Sequence, residues 1–233
     1  MSTSIKDNIT QVKKRIQLAE KNAGRTTGIV QLIAVSKTRT ANDVRKTYQA
    51  GITHFGENYL QEALSKQQEL ADLDIVWHFI GPIQSNKTAD IANRFDWVHS
   101  LDRIKIAKRL NDQRSPKAPP LNICIQINIS HESSKSGIPI EQLTDFAATI
   151  AEFPRLKLRG LMAIPSPDLS EEALKGQYQQ MQIANNQLKR SGFDCDTLSM
   201  GMSNDLECAI AAGATMVRVG TAIFGPRARK PGE

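Results

Sequence analysis

The chain has 233 residues, 40% hydrophobic and 23% charged, with 14 glycines and 10 prolines; these proportions exclude a collagen-like or disordered polypeptide and suit one globular domain over residues 1–233. A net charge of +6 permits anionic partners, but the basic residues are spread along the chain without interleaved aromatics, which argues against nucleic acid and leaves a small anion such as a phosphate ester. Cys124, Cys195 and Cys208 lack metal or redox spacing, no apolar run is long enough to span a membrane, and residues 1–6 carry no apolar signal core, so a cytoplasmic protein with buried, free thiols is expected.

Ile5, Ile9, Val12, Ile16 and Ala19 recur at four- and three-residue steps, which predicts an amphipathic helix over residues 1–24, ending near Gly24. Short apolar runs follow at 31–36, 52–57, 75–80, 97–101, 121–129, 156–164, 197–200 and 216–219, each reading as a strand. Helical patterns lie between them, among them 42–50, 59–71, 103–113, 140–153, 170–189 and 206–212. Strand and helix alternating in this way imply a parallel sheet, and the number of repeats suits a closed (β/α)8 TIM-type barrel with an additional N-terminal helix. An open doubly wound sheet is the alternative, because periodicity does not show closure. Residues 226–233, with Arg227, Arg229 and Lys230, form a basic tail.

In the first strand Ile33, Val35 and Lys37 share one face, opposite Leu32, Ala34 and Ser36. An amine directed with two core residues is disfavoured as an ammonium ion, and a neutral lysine is the nucleophile that condenses with an aldehyde. In the fifth strand Ile123, Ile125, Ile127 and Ile129 alternate with Asn122, Cys124, Gln126 and Asn128; in a barrel the isoleucines pack on the helices while Gln126 and Asn128 face the lumen near its mouth.

The loops after the seventh and eighth strands read SMGMSND (199–205) and VGTAIFG (219–225). Gly201 and Gly220 allow close backbone approach and Ser203 and Thr221 supply hydroxyls, as a phosphate pocket requires. The plainer reading is of ordinary turns, with Ser203 or Asn204 capping a helix. Arg218 alternates with Val217 and Val219 and so faces the lumen, where it serves either a structural ion pair or a hydrogen bond to a ring nitrogen. A condensing lysine, a phosphate cup and a ring-facing arginine together describe a site for pyridoxal 5′-phosphate.

Across almost its whole length the chain resembles the pyridoxal phosphate homeostasis protein family, related in fold to the N-terminal barrel of alanine racemase. The likeness is carried by AVSKTR (34–39), FGENYLQE (55–62), WHFIGPIQSNK (77–87), INIS followed by SKSG (134–137), LRGLMAIP (158–165) and GMSNDLECAIAAGATMVRVGTAIFG (201–225). The resemblance implies that Lys37 carries the cofactor as a Schiff base, that Arg218 meets the pyridine nitrogen, that Ser203, Gly220 and Thr221 hold the phosphate, and that Asn58, Met162 and Ser199 line the pocket. Relatives often have a second lysine two residues beyond the first; here Arg39 stands there and forms no imine at neutral pH. Lys87 and Lys135 are the remaining candidates for a secondary role, or are solvated loop lysines.

The resemblance further implies a store or carrier of the cofactor acting in vitamin B6 homeostasis, with no catalytic residues, and with pyridoxal phosphate-dependent apo-enzymes as conceivable recipients. An arginine at the ring nitrogen disfavours its protonation and so weakens the electron sink. The competing class is a barrel-type amino-acid racemase, which needs a second acid or base across the cofactor. Tyr48, Tyr59 and Tyr178 are the only tyrosines, with Tyr59 expected to pack at the rim, and no second domain is expected to supply another. A Schiff-base aldolase without cofactor is a third class. His54, His78, His99 and His131 lack the spacing of a helical metal pair, so no metal site is expected, and His54 reads as a hydrogen-bonded core residue. The opening helix could cap its own barrel or pack on a partner, which leaves monomer and weak homodimer open.

Overall fold

The computed structural model describes residues 4–130, 132 and 135–226. The helix α1 (Ile5–Asn22) starts at Ser4, whose hydroxyl accepts from the Asp7 amide while the Asp7 carboxylate accepts from the Ser4 amide. Its buried face is the predicted Ile9, Val12, Ile16 and Ala19. The strands and helices then alternate: β1 (Gln31–Val35), α2 (Ala41–Gln49), β2 (His54–Glu57), α3 (Leu60–Glu69), β3 (Val76–Phe79), α4 (Thr88–Arg94), β4 (Trp97–Leu101), α5 (Ile104–Gln113), β5 (Leu121–Ile127), α6 (Leu143–Ala151), β6 (Leu156–Ala163), α7 (Glu171–Arg190), β7 (Thr197–Ser199), α8 (Leu206–Ala211), β8 (Met216–Val219) and α9 (Thr221–Phe224).

All eight strands pair in parallel and in sequence order, and β8 returns to β1, so the sheet is a closed barrel. The open-sheet alternative is thereby removed. Side chains of successive strand residues divide between two apolar layers. Phe55, Trp77, Phe79, Val98, Ile123, Ile125, Ile127, Val217 and Val219 lie in the layer shared with the helices. Ile33, Trp97, Cys124, Met162 and Met216 form a separate cluster in the lumen. The isoleucines of β5 thus take the helix side as their alternation predicts, each contributing roughly 1.5–3 kcal/mol by leaving water.

The strands match the sequence-based spans with ends trimmed by one or two residues. Differences concentrate between strands. The helix predicted over 140–153 is a 3-10 turn, Ile140–Gln142, running into α6. Neither α4 nor the short α9 is among the predicted helices. The basic residues of the tail (227–233), His131 and Ser134 lie outside the described residues. Cys124 and Cys195 are buried, whereas Cys208 is only half-buried. Among the described residues no helix is long and apolar enough to cross a membrane.

Candidate functional site

Lys37 stands two residues beyond the end of β1, half-buried at the carboxyl-terminal mouth of the barrel. The backbone on both sides of it is fixed. The buried Ser36 donates its amide to Gly56 at 3.0 Å and its hydroxyl to Glu57 at 2.6 Å, and the Ser36 carbonyl accepts from Lys66 Nζ at 2.7 Å. Lys66 also pairs with Glu57 at 2.8 Å, both side chains being almost wholly enclosed. Thr38, next along, has φ 63, a left-handed conformation costly for a β-branched residue. Its amide donates to Glu62 Oε2 at 2.8 Å, which offsets part of that cost.

Arg218 lies beside Ile33 in the register of β8 against β1, so the guanidinium and the Lys37 loop belong to adjacent strands. It is buried and spends three of its five N–H donors: on the Ser199 carbonyl at 2.6 Å, the Ser199 hydroxyl at 2.7 Å and the Ala163 carbonyl at 3.0 Å. Among the described residues no carboxylate lies within ion-pair distance of it, so the structural ion pair is not what holds it. Burial lowers its pKa. Met162 and Ser199 are neighbours in the β6–β7 register and fully enclosed, Met162 in the lumenal cluster and Ser199 as a partner of Arg218.

The loops after β7 and β8 touch each other through the Ala222 amide, which donates to Ser203 Oγ at 3.3 Å. Gly201 has φ +94, and a Cβ there would lie 2.6 Å from the Ala209 side chain; its carbonyl accepts from the Arg218 amide at 2.9 Å. A Cβ on Gly220 would crowd the Val35 carbonyl at 3.3 Å. Both glycines therefore have a reason in the protein's own packing. Thr221 is exposed and Ser203 half-buried. Asp205 orders the first loop by accepting from the Met202 amide at 2.5 Å and the Tyr178 hydroxyl at 2.7 Å. From α1, Arg15 reaches the Ser203 carbonyl at 2.9 Å while pairing with Glu207, so the opening helix braces this loop on its own barrel.

Asn58 follows β2 at the mouth, with Oδ1 buried and without a hydrogen-bond partner among the described residues. Gly81 packs so closely on it that a Cβ would sit 2.1 Å from the Asn58 carbonyl oxygen. Tyr59 is exposed at the start of α3. Gln126 and Asn128 bond to the segment after β5, through the Ser136 carbonyl at 3.2 Å and the Glu132 carbonyl at 2.8 Å. Lys135 pairs with Glu132 at 2.9 Å and donates to Ser166 at 2.7 Å, so it is not a simply solvated lysine. Lys87 ends a 3-10 turn, Ser85–Lys87, half-buried. Arg39 donates to the carbonyls of Gly225 at 2.6 Å and Pro226 at 3.1 Å and covers the Phe224 ring, tying the last described residues to the mouth.

A row of histidines crosses the lumen, of which the sequence marks only His54 as a hydrogen-bonded core residue. His54 Nδ1 lies 2.9 Å from His78 Nε2, His78 Nδ1 2.9 Å from His99 Nε2, and His99 Nδ1 2.8 Å from Ser199 Oγ. Burial is the main cause that lowers the pKa of each ring, pushing His78 well below its ordinary value and His99, faced also by Arg218, down to about 3. The signal was the alternation in β3 and β4, where Trp77, Phe79 and Val98 take the helix side and leave His78 and His99 inward.

These groups suit pyridoxal phosphate. The mouth offers a lysine amine on a fixed loop, a guanidinium with two donors to spare, and a buried amide oxygen lacking a donor.

The alanine racemase N-terminal domain family matches residues 4–228. The chain is 54% identical over 227 residues to the pyridoxal phosphate homeostasis protein of Pseudomonas aeruginosa, covering 97% of both chains. It is 51% identical to the protein of the same name in Escherichia coli K12, over 96% of this chain and 97% of that one. PipY of Synechococcus elongatus, solved with pyridoxal phosphate bound, superposes with a TM-score of 0.81 at 35% identity, over 92% of this chain and 100% of PipY.

Proposed function

The chain belongs to the alanine racemase N-terminal domain family, and from that premise we propose that it holds pyridoxal 5′-phosphate for intracellular vitamin B6 homeostasis, with little turnover of its own. Lys37 is the amine that would bind the aldehyde. Arg218 would face the ring nitrogen, and Gly201, Ser203, Gly220 and Thr221 would receive the phosphate, with Asn58 and Met162 beside the ring. The observation that carries this reading is the pairing, on adjacent strands, of Lys37 at the mouth with a buried Arg218 that no carboxylate neutralises among the described residues.

Pyridoxal phosphate supplies an electron sink when its ring nitrogen is protonated. A guanidinium is always charged and donates only, so Arg218 opposes that protonation and favours retention over carbanion chemistry. The names of the homologous proteins point the same way, to homeostasis rather than to a reaction.

Purified protein incubated with pyridoxal phosphate should keep the cofactor through desalting, and Lys37→Ala should lose it. Holo-protein given amino acids should consume little of them and should load an added apo-enzyme. Rapid racemisation or transamination would replace the reading with an enzymatic one; retention unchanged in Lys37→Ala would refute the lysine's role.

A further inference from the structure

The histidine row climbs from the first residue of β2, at the amino-terminal end of the barrel, to Ser199 and Arg218 below the mouth. Its direction follows from one group that cannot accept. Arg218 donates to Ser199 Oγ at 2.7 Å, so the hydroxyl is an acceptor there and its own proton must go elsewhere. Ser199 is fully buried, and His99 Nδ1 at 2.8 Å is the acceptor within reach among the described residues. Leaving the O–H undirected would strand a buried donor. With Nδ1 of His99 accepting, its proton sits on Nε2 and points to His78 Nδ1; His78 in turn carries its proton on Nε2 and points to His54 Nδ1.

We propose that His54, His78, His99 and Ser199 form a one-way hydrogen-bonded chain, each ring protonated on Nε2, that positions Arg218 toward a ring nitrogen held at the mouth. This rests on the reading that the mouth takes pyridoxal phosphate. Neutral rings are what the surroundings favour: His78 and His99 are wholly buried away from water, Arg218 faces His99, and Asp96, the one carboxylate acting on the row among the described residues, bears on the half-buried His54 alone. Hydrogen bonds running in one sense polarise one another, so the acceptor offered to Arg218 depends on rings two strands away. His54, His78 and His99 are positioning residues; Ser199 transmits their order to the guanidinium.

Long-range 1H–15N spectra of the histidine rings in the cofactor-free full chain test the direction. All three rings should show the Nε2–H pattern at neutral pH. Ser199→Ala should shift the His99 resonances and, through them, those of His54; Ser199→Thr should restore both. In protein loaded with pyridoxal phosphate, Ser199→Ala should move the absorbance band of the bound cofactor and Ser199→Thr should return it. Should Ser199→Ala not fold, His54→Phe must shift the His99 ring from the far end. An Nδ1–H or charged ring at His54, His78 or His99 at neutral pH would overturn the chain, as would a Ser199→Ala protein with His54 and cofactor band at wild-type positions. Wild-type protein with three Nε2–H rings that keeps no pyridoxal phosphate would refute the cofactor reading, and the purpose assigned to the chain with it, while leaving the chain itself standing.

Discussion

Lys37 and Arg218 both rest on fixed surroundings. The Arg218 side chain is held by Ser199 and Ala163, and the backbone on either side of Lys37 is held at Ser36 and Thr38. Exchanging Arg218 for Glu would give the ring nitrogen an acceptor in place of a donor, so the bound cofactor's absorbance should change and any proton exchange with amino acids should rise. Identical spectra would mean that Arg218 serves the lumen alone. Ser203→Ala and Thr221→Ala should each raise the dissociation constant for pyridoxal phosphate about fivefold, the equivalent of about 1 kcal/mol for one lost hydrogen bond. Equilibrium dialysis would measure this, and wild-type affinity in both variants would move the phosphate elsewhere.

Among the elements, α3 has the most direct hold on the site, because Lys66 and Glu62 on it grip the two residues flanking Lys37. Lys66→Met would leave Glu57 buried without its cation, with an expected loss of about 3–5 kcal/mol in urea unfolding. A loss below about 1 kcal/mol would show that the pair is not needed for the loop. The strands and most helices were legible because apolar residues repeat at steps of two or of three and four. The helix α4 was not, since Thr88–Arg94 shows only Ile91 and two alanines as apolar residues and gives no stripe to count. Arg218 and the inward isoleucine Ile33 could be placed from alternation within one strand, whereas Lys37 falls two residues past the end of β1, where alternation no longer applies. The Glu57–Lys66 pair and the histidine row could not, because each joins side chains from different elements, and single-strand periodicity carries no register between strands.

For the molecule as a whole, the neutral lumen couples stability to pH. The rings of His78 and His99 have folded-state pKa values below the ordinary 6.5, by burial first. Below that pH the unfolded chain takes up protons that the folded barrel refuses, so stability falls as pH drops, by roughly 1.4 kcal/mol per pH unit for each such ring. The loss should continue toward pH 3, where His99 itself titrates. Unfolding by urea between pH 7 and pH 5 would show the slope, and His99→Asn should reduce it by about one ring's share; a slope unchanged in that variant would contradict the assignment of a neutral buried ring. The opening helix enters at this scale too, since Arg15 braces the Ser203 loop from outside the barrel.

Covalent capture of the cofactor is expected at one position. Holo-protein treated with borohydride and digested should yield, by mass spectrometry, a single pyridoxyl-bearing peptide with the modification on Lys37. No adduct, or one on Lys87 or Lys135 with Lys37 untouched, would contradict it.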